Sequence, residues 1–190
     1  MHSKQNSRQE HQPERHHDLD DSLDVWIGVG ANRGDILETL DEAQRLLGRL
    51  SYKPLMMSSL YKSEPWGGIE QDTFINQVIY ARVSSCKVSE FMREFMGDSQ
   101  SNIQSEPTAH LNRSIALSLN VLRALLMIES MLGRDRAREV RWGPRSLDLD
   151  LLAAHRVTSP ASVTYESEEL TLPHPRLHLR RFVLAPWAEL

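Results

Sequence analysis

Arg141-Trp-Gly-Pro-Arg-Ser-Leu-Asp-Leu-Asp150 runs directly into Leu151. Leu147, Leu149 and Leu151 alternate with Ser146, Asp148 and Asp150. A period of two is the signature of a strand with one apolar face. Both carboxylates then share the opposite face, roughly 7 Å apart by strand geometry. Like charges at that spacing oppose each other's ionisation unless a cation lies between them. Arg134, Arg136, Arg138, Arg141 and Arg145 lie immediately upstream or within the run. A basic arm beside an acidic pair suggests a polyanion held through a divalent metal, and ATP with magnesium fits that description best.

Upstream of this strand the pattern alternates between strands and helices. Residues 1–22 hold almost no apolar side chains and read as a disordered polar tail. His16 and His17 lie in it, and a solvated tail is the better reading of that pair than a metal site. Order begins at Asp24, with Val25-Trp-Ile-Gly-Val-Gly30 as a buried strand. Asp35 caps a helix, with Glu38 three residues on, and the apolar spacing carries that helix to Leu50. Residues 58–61 form a short strand candidate, residues 63–68 a turn-rich loop, and residues 74–83 another strand. A helix over residues 88–96 follows, and then an inserted loop over residues 97–112.

Ile115, Leu119, Leu122 and Leu126 recur at helical spacing from Asn112 to Leu132, and Gly133 stands where a helix C-terminal glycine belongs. Glu129 falls on the apolar stripe of that helix. It either reaches solvent at the helix end or belongs to a site. Beyond the acidic strand come a polar loop, a short strand over residues 170–172 and a last element from Arg180. The order strand, helix, strand, strand, helix, strand predicts an α+β sandwich. Its natural form is the ferredoxin-like βαββαβ arrangement, a mainly antiparallel sheet with helices on one face.

Bulk properties narrow the function classes. The chain has 190 residues, enough for one domain with a real core over residues 23–190. A formal net charge of -4 gives no global attraction to nucleic acid or anionic lipid, so the arginine cluster marks a site and not a coat. Cys86 is the sole cysteine, which excludes an internal disulfide and fits a reducing compartment. No apolar run reads as long enough to span a bilayer, and the N-terminus has no signal-peptide core. A cytoplasmic location is the default expectation.

Four segments, in this order, resemble the 6-hydroxymethyl-7,8-dihydropterin pyrophosphokinase family of folate biosynthesis. They are Gly28-Val-Gly-Ala-Asn-Arg-Gly-Asp35; Ser58-Ser-Leu-Tyr-Lys-Ser-Glu-Pro-Trp-Gly67 with Phe74-Ile-Asn76; Glu129 through Gly133-Arg134 to Asp150; and Leu172-Pro-His-Pro-Arg-Leu-His178 with Arg180 and Phe182. The third is highly specific, whereas a glycine-rich turn after a strand is common. The resemblance implies a ferredoxin-like fold. It also implies transfer of a pyrophosphoryl group from ATP to the hydroxymethyl oxygen of a reduced pterin, with release of AMP.

By resemblance, Asp148 and Asp150 hold two Mg2+ ions on the ATP phosphates, and one of them accepts the hydroxymethyl proton. Arg134, Arg136, Arg141 and Arg145 clamp phosphates, a task suited to the guanidinium fork. Glu129, Trp142, His174 and Arg180 are implied on the ATP side. Trp142 packs near the phosphate loop or closes over the substrate. Phe74 and Phe182 match the pair that stacks on the pterin, although either alone reads as plain core. Asn76 offers a donor and an acceptor to the pterin amide edge, and groups around Ser63 and Trp66 complete it.

The expected partners are the two small molecules, with no nucleic acid, no membrane and a monomeric state. Family members usually continue beyond Leu190, so a shortened C-terminal end is expected. A truncated relative that binds nucleotide without turnover, or a ferredoxin-like module binding single-stranded RNA through Phe74, Phe182 and the basic arm, are the alternatives.

Overall fold

A computed structural model of the chain describes residues 19, 21–65, 68–96, 112–159 and 161–190. Nearly all of the expected tail, including His16 and His17, lies outside these residues, as do Trp66 and the expected inserted loop up to residue 111.

Strand β1 (Ser22–Ala31) forms the centre of the sheet. It pairs antiparallel with β4 (Phe74–Ser84) on one side and with β5 (Asp148–Arg156) on the other. Two short strands, β2 (Met56–Met57) and β3 (Tyr61–Ser63), pair with the outer edge of β4. The five-stranded order is therefore β2 and β3, then β4, β1 and β5. A separate hairpin joins β6 (Tyr165–Glu166) to β7 (Thr171–Leu172). The architecture is α+β with an antiparallel sheet, as the element order implied.

Alternation divides the two faces. Val25, Ile27, Val29 and Ala31 join Ile79, Ala81, Val83, Leu149 and Leu151 in the main core. Three helices cover that face: α1 (Ile36–Leu50), α2 (Ser85–Met96) and α3 (Arg113–Met131). Asp35 caps α1 by accepting from the Glu38 N–H at 3.2 Å. Helix α2 starts at Ser85, three residues before the expected Val88. Asn112, where the expected loop and helix meet, is the N-cap of α3, and its Oδ1 accepts from the Ser114 N–H.

By length and hydropathy α3 would suit a membrane span, contrary to the expectation that no such run exists. Here it serves as the core helix, with Leu117, Val121, Leu125 and Ile128 packed against the sheet.

The last element is a short helix, α4 (Arg181–Trp187), and it lies on the opposite face. Val183 packs there with Val78 and Leu152, flanked by Trp26, Phe182 and Trp187. A register shift between Trp26 and Ile27 marks a bulge at Leu152. Leu152 follows Asp148 and Asp150 on the second face, and the bulge brings Ala154, three residues beyond Leu151, back into the main core.

The strand expected over residues 58–61 is instead a break. Ser58 Oγ accepts from the Val78 N–H at 3.0 Å, and its own N–H donates to the Val78 carbonyl. The side chain takes over a ladder bond, so β2 stops at Met57 and β3 resumes at Tyr61.

Candidate active site

The register of three strands sets out the site. On the second face, Gly30 lies opposite Asp148 on one side and Asn76 on the other. Gly28 lies opposite Asp150 and Val78. Each row crosses three strands, so the acids and the amide stand roughly 10 Å apart with glycine between them. A cavity of about 270 Å³ rises from this floor. Asp148 and Asp150 line it together with Ser63, Phe74, Asn76 and Phe182, and the Arg180 guanidinium, bonded to Asp150, lies 5.8 Å from the Phe182 ring centre. Arg141, Trp142, Arg145, Arg176 and Arg180 also line it.

A side chain at either glycine would crowd its neighbours. A Cβ on Gly30 would lie 3.3 Å from Asn76 Oδ1 and 3.9 Å from a Phe74 ring carbon. A Cβ on Gly28 would lie 3.3 Å from a Leu152 methyl carbon.

Asn76 Nδ2 donates to Ser63 Oγ at 2.8 Å and to the Tyr61 carbonyl at 3.3 Å. These bonds fix the amide plane with its oxygen toward the floor. The cavity therefore pairs an oriented amide with two aromatic rings, which suits a flat heterocycle.

The acidic end is braced by guanidinium groups. Arg134 Nη1 donates to Asp148 Oδ1 and Arg145 Nη1 to Asp148 Oδ2, each at 2.6 Å. Burial pushes the Asp148 carboxyl up, but Arg145 and Arg134 outweigh it and hold the group below the ordinary carboxylate range. Arg180 Nη1 donates to Asp150 Oδ2 at 2.7 Å. Arg145 Nε and Arg180 Nε are buried without a hydrogen-bond partner. His174 donates its backbone N–H to the Leu152 carbonyl at 2.8 Å, and burial lowers its imidazole below the ordinary value against the pull of Asp150.

Glu129 and Arg134 reach this cluster through a helix ending. Gly133, at φ 82°, closes α3. The Gly133 N–H bonds to the Ser130 carbonyl and the Arg134 N–H to the Glu129 carbonyl. The chain folds back, so Arg134 Nη1 meets Glu129 Oε1 at 2.5 Å. Glu129 also accepts from the Leu149 N–H at 2.8 Å and from Arg136 Nε at 2.7 Å. Its carboxyl is pushed up by burial, against the pull of these donors.

Two residues that the resemblance implied on the ATP side lie off this cavity. Glu129, 1% exposed, stands behind the cavity wall and touches the site only through Arg134 and β5. Arg136 turns to Glu129 on the far side and does not line the cavity. The cause is the α3 ending, which draws both residues inward. Arg134 likewise braces Asp148 from behind. Trp66 lies outside the described residues.

Three residues without an assigned role join the site. Asn32, 3% exposed, accepts from the Arg145 N–H at 2.8 Å and donates to Gln71 Oε1 and the Asp72 carbonyl. Gln71 Nε2 donates to the Trp142 carbonyl at 2.7 Å. The two loops that flank the cavity are tied together through Asn32 and Gln71. Trp142 is held in the left-handed region at φ 64°, with the Arg141 guanidinium 4.7 Å from its ring centre. Arg176 is the third addition. Asn32 sits in the glycine turn quoted above, but only the tertiary contacts reveal what it does.

Comparison with known proteins bears on this geometry. A family model described as 7,8-dihydro-6-hydroxymethylpterin-pyrophosphokinase matches residues 26–117 and 100–190. A 2-amino-4-hydroxy-6-hydroxymethyldihydropteridine pyrophosphokinase of Mycobacterium tuberculosis is 33% identical over 166 residues, 86% of this chain and 70% of that protein. Proteins of the same name from Bacillus subtilis and Haemophilus influenzae are 32% and 30% identical. Those alignments cover 87% and 88% of this chain and 77% and 81% of the relatives.

Proposed function

The chain belongs to the 7,8-dihydro-6-hydroxymethylpterin-pyrophosphokinase family and transfers pyrophosphate to hydroxymethyldihydropterin in folate biosynthesis; we propose that ATP is the donor and that the cavity between Asp148, Asp150 and the Phe74–Phe182 pair is where transfer occurs. The observation that carries this is the cross-strand row Asp148, Gly30, Asn76. It sets a charged end and a heterocycle end on one glycine floor.

Asp148 and Asp150 would hold two Mg2+ ions. Their oxygens are the hard donors that magnesium prefers, and it commonly binds through one or two carboxylates plus phosphate. When bound, Mg2+ neutralises charge that builds on the phosphates as the reaction proceeds. The buried, unpartnered Nε atoms of Arg145 and Arg180 support a phosphate ligand here, since a buried donor without an acceptor is costly. Arg141 and Arg176 at the cavity wall add positive charge, and Trp142 and His174 flank the same end.

On the pterin side, Phe74 and Phe182 sandwich the ring, while Asn76 and Ser63 read its amide edge. The hydroxymethyl oxygen then forms its bond to the β-phosphorus as the bond from that phosphorus to the α-phosphate bridging oxygen breaks, and AMP leaves. Asp150 is the better placed acceptor of the hydroxyl proton. Among the described residues nothing donates to its Oδ1, whereas both Asp148 oxygens are held by arginine. We take the protein to act as a monomer in the cytoplasm, on small-molecule substrates alone.

The test is AMP formation from ATP, assayed with and without Mg2+ and with and without the pterin. AMP is expected only when both are present. Folded protein that makes none under those conditions refutes the reading.

A further inference from the structure

The two walls of the heterocycle slot come from separate parts of the chain. Phe182 rides on α4, while Ser63 belongs to β3 and bonds to Asn76 on β4. Their spacing decides whether a flat ring fits between them. Just past α4, Glu189 reaches back to the broken sheet edge. Its Oε2 accepts from the Ser59 N–H at 2.7 Å, and its Oε1 accepts from the Tyr61 hydroxyl. Ser59 lies within the break between β2 and β3, where Ser58 has taken over the ladder bond, so its N–H points away from the sheet. One carboxylate thus holds both the break and the first residue of β3.

Among the described residues, these are the only hydrogen bonds between the chain after Phe182 and the edge over residues 56–65. The Glu189 carboxyl is held below its ordinary value by the Tyr61 hydroxyl and the Ser59 N–H, consistent with an ionised acceptor of both.

We propose that Glu189 is a positioning residue for the heterocycle: it ties α4 to β3 and so sets the gap between Phe182 and the Ser63–Asn76 edge. This rests on the pterin reading of that slot. Glu189 is exposed and hydrogen-bonds to Ser59 and Tyr61, neither of which lines the cavity, so its effect on folding is small. Its effect on ring binding is the larger one, because a fixed gap removes an ordering cost at the moment of binding.

The experiment measures dissociation constants for the reduced pterin and for a non-hydrolysable ATP analogue with Mg2+, alongside the thermal midpoint. For Glu189→Ala, pterin binding weakens about tenfold, while ATP-analogue binding changes by less than about twofold. Tyr61→Phe, which keeps the ring and loses one clasp, weakens pterin binding about threefold. The double variant is no weaker than Glu189→Ala, since both act on one tie. Glu189→Gln restores affinity to within about threefold of the parent, because its oxygen accepts from Ser59 while its amide donates to the Tyr61 oxygen.

Unchanged pterin affinity in Glu189→Ala overturns the proposal. Equal losses for both ligands together with a lowered midpoint also overturn it, because they mark a merely structural contact. Additive losses in the double variant do the same. If the parent protein itself fails to bind pterin, the underlying reading of the slot is what falls.

Discussion

Replacing Glu129 by Gln tests whether this residue supports the site from behind or contacts the nucleotide. The carboxylate is 1% exposed and accepts from Arg134, from the Leu149 N–H and twice from Arg136. A glutamine keeps one acceptor oxygen and turns an amide donor toward groups that are all donors. Arg136 is half exposed and can turn to water at little cost. Arg134 cannot, since its side chain is 3% exposed, but it retains Asp148 and Glu139. Breaking one partner of a buried ion pair costs about 3–5 kcal/mol, and the retained partners put this case at the lower end, about 3 kcal/mol. For a domain of this size each kcal/mol lowers the midpoint by about 2–4 °C, so the expected fall is about 6–12 °C. Thermal denaturation followed by circular dichroism measures it, with ATP-analogue binding recorded well below the midpoint. A midpoint within about 2 °C of the parent, combined with a weakened ATP analogue, refutes the reasoning. It would mean that Glu129 reads the ligand and that the brace is not formed in the working protein.

Asp150→Ala is expected to lose nearly all AMP formation while its circular dichroism spectrum and midpoint stay close to the parent's. A variant that keeps half the rate argues against both ligation and proton transfer at that carboxylate. Gly30→Ala places a methyl group 3.3 Å from Asn76 Oδ1 on the cavity floor, and calorimetry should find pterin binding weakened by about tenfold or more, with ATP-analogue binding nearly unchanged. The acid limb of stability should depend on Asp148. Its carboxyl is held below the unfolded value of about 3.9, so it adds stability above that pH and loses it as the pH falls through the folded value. The midpoint of Asp148→Asn should therefore fall less steeply than the parent's below about pH 4, and parallel curves would contradict this.

Periodicity made the strands of the acids and of Asn76 legible, because burial on one face forces alternation. It also placed the α1 cap and the Gly133 ending, since both use local chemistry. The break at Ser58 escaped it, because a hydroxyl replacing a ladder bond leaves no mark on the apolar pattern. The three-residue shift at the start of α2 escaped for a similar reason, as Ser85, Cys86 and Lys87 carry little apolar signal. Motif resemblance had singled out many of the residues that line the cavity, though it gave Arg176 no role. What those motifs could not say was which groups act through others. Glu129 and Arg136 stand in the motif yet turn away from the cavity, and Asn32 and Gln71 join loops far apart in sequence. The Asn32–Gln71 tie depends on contacts across 39 and 71 positions, which no local pattern encodes, whereas Glu129 and Arg136, seven positions apart, are drawn together by the way α3 ends.

The bare ledge formed by Gly28 and Gly30 limits how this hollow can change over generations. An inhibitor resting there meets main chain, which point mutation cannot remove. The escape left open is added bulk at those two places, and that bulk would shut out the natural ring together with the drug. Compounds that press on the ledge and ignore the surrounding side chains would therefore leave resistance its narrowest path.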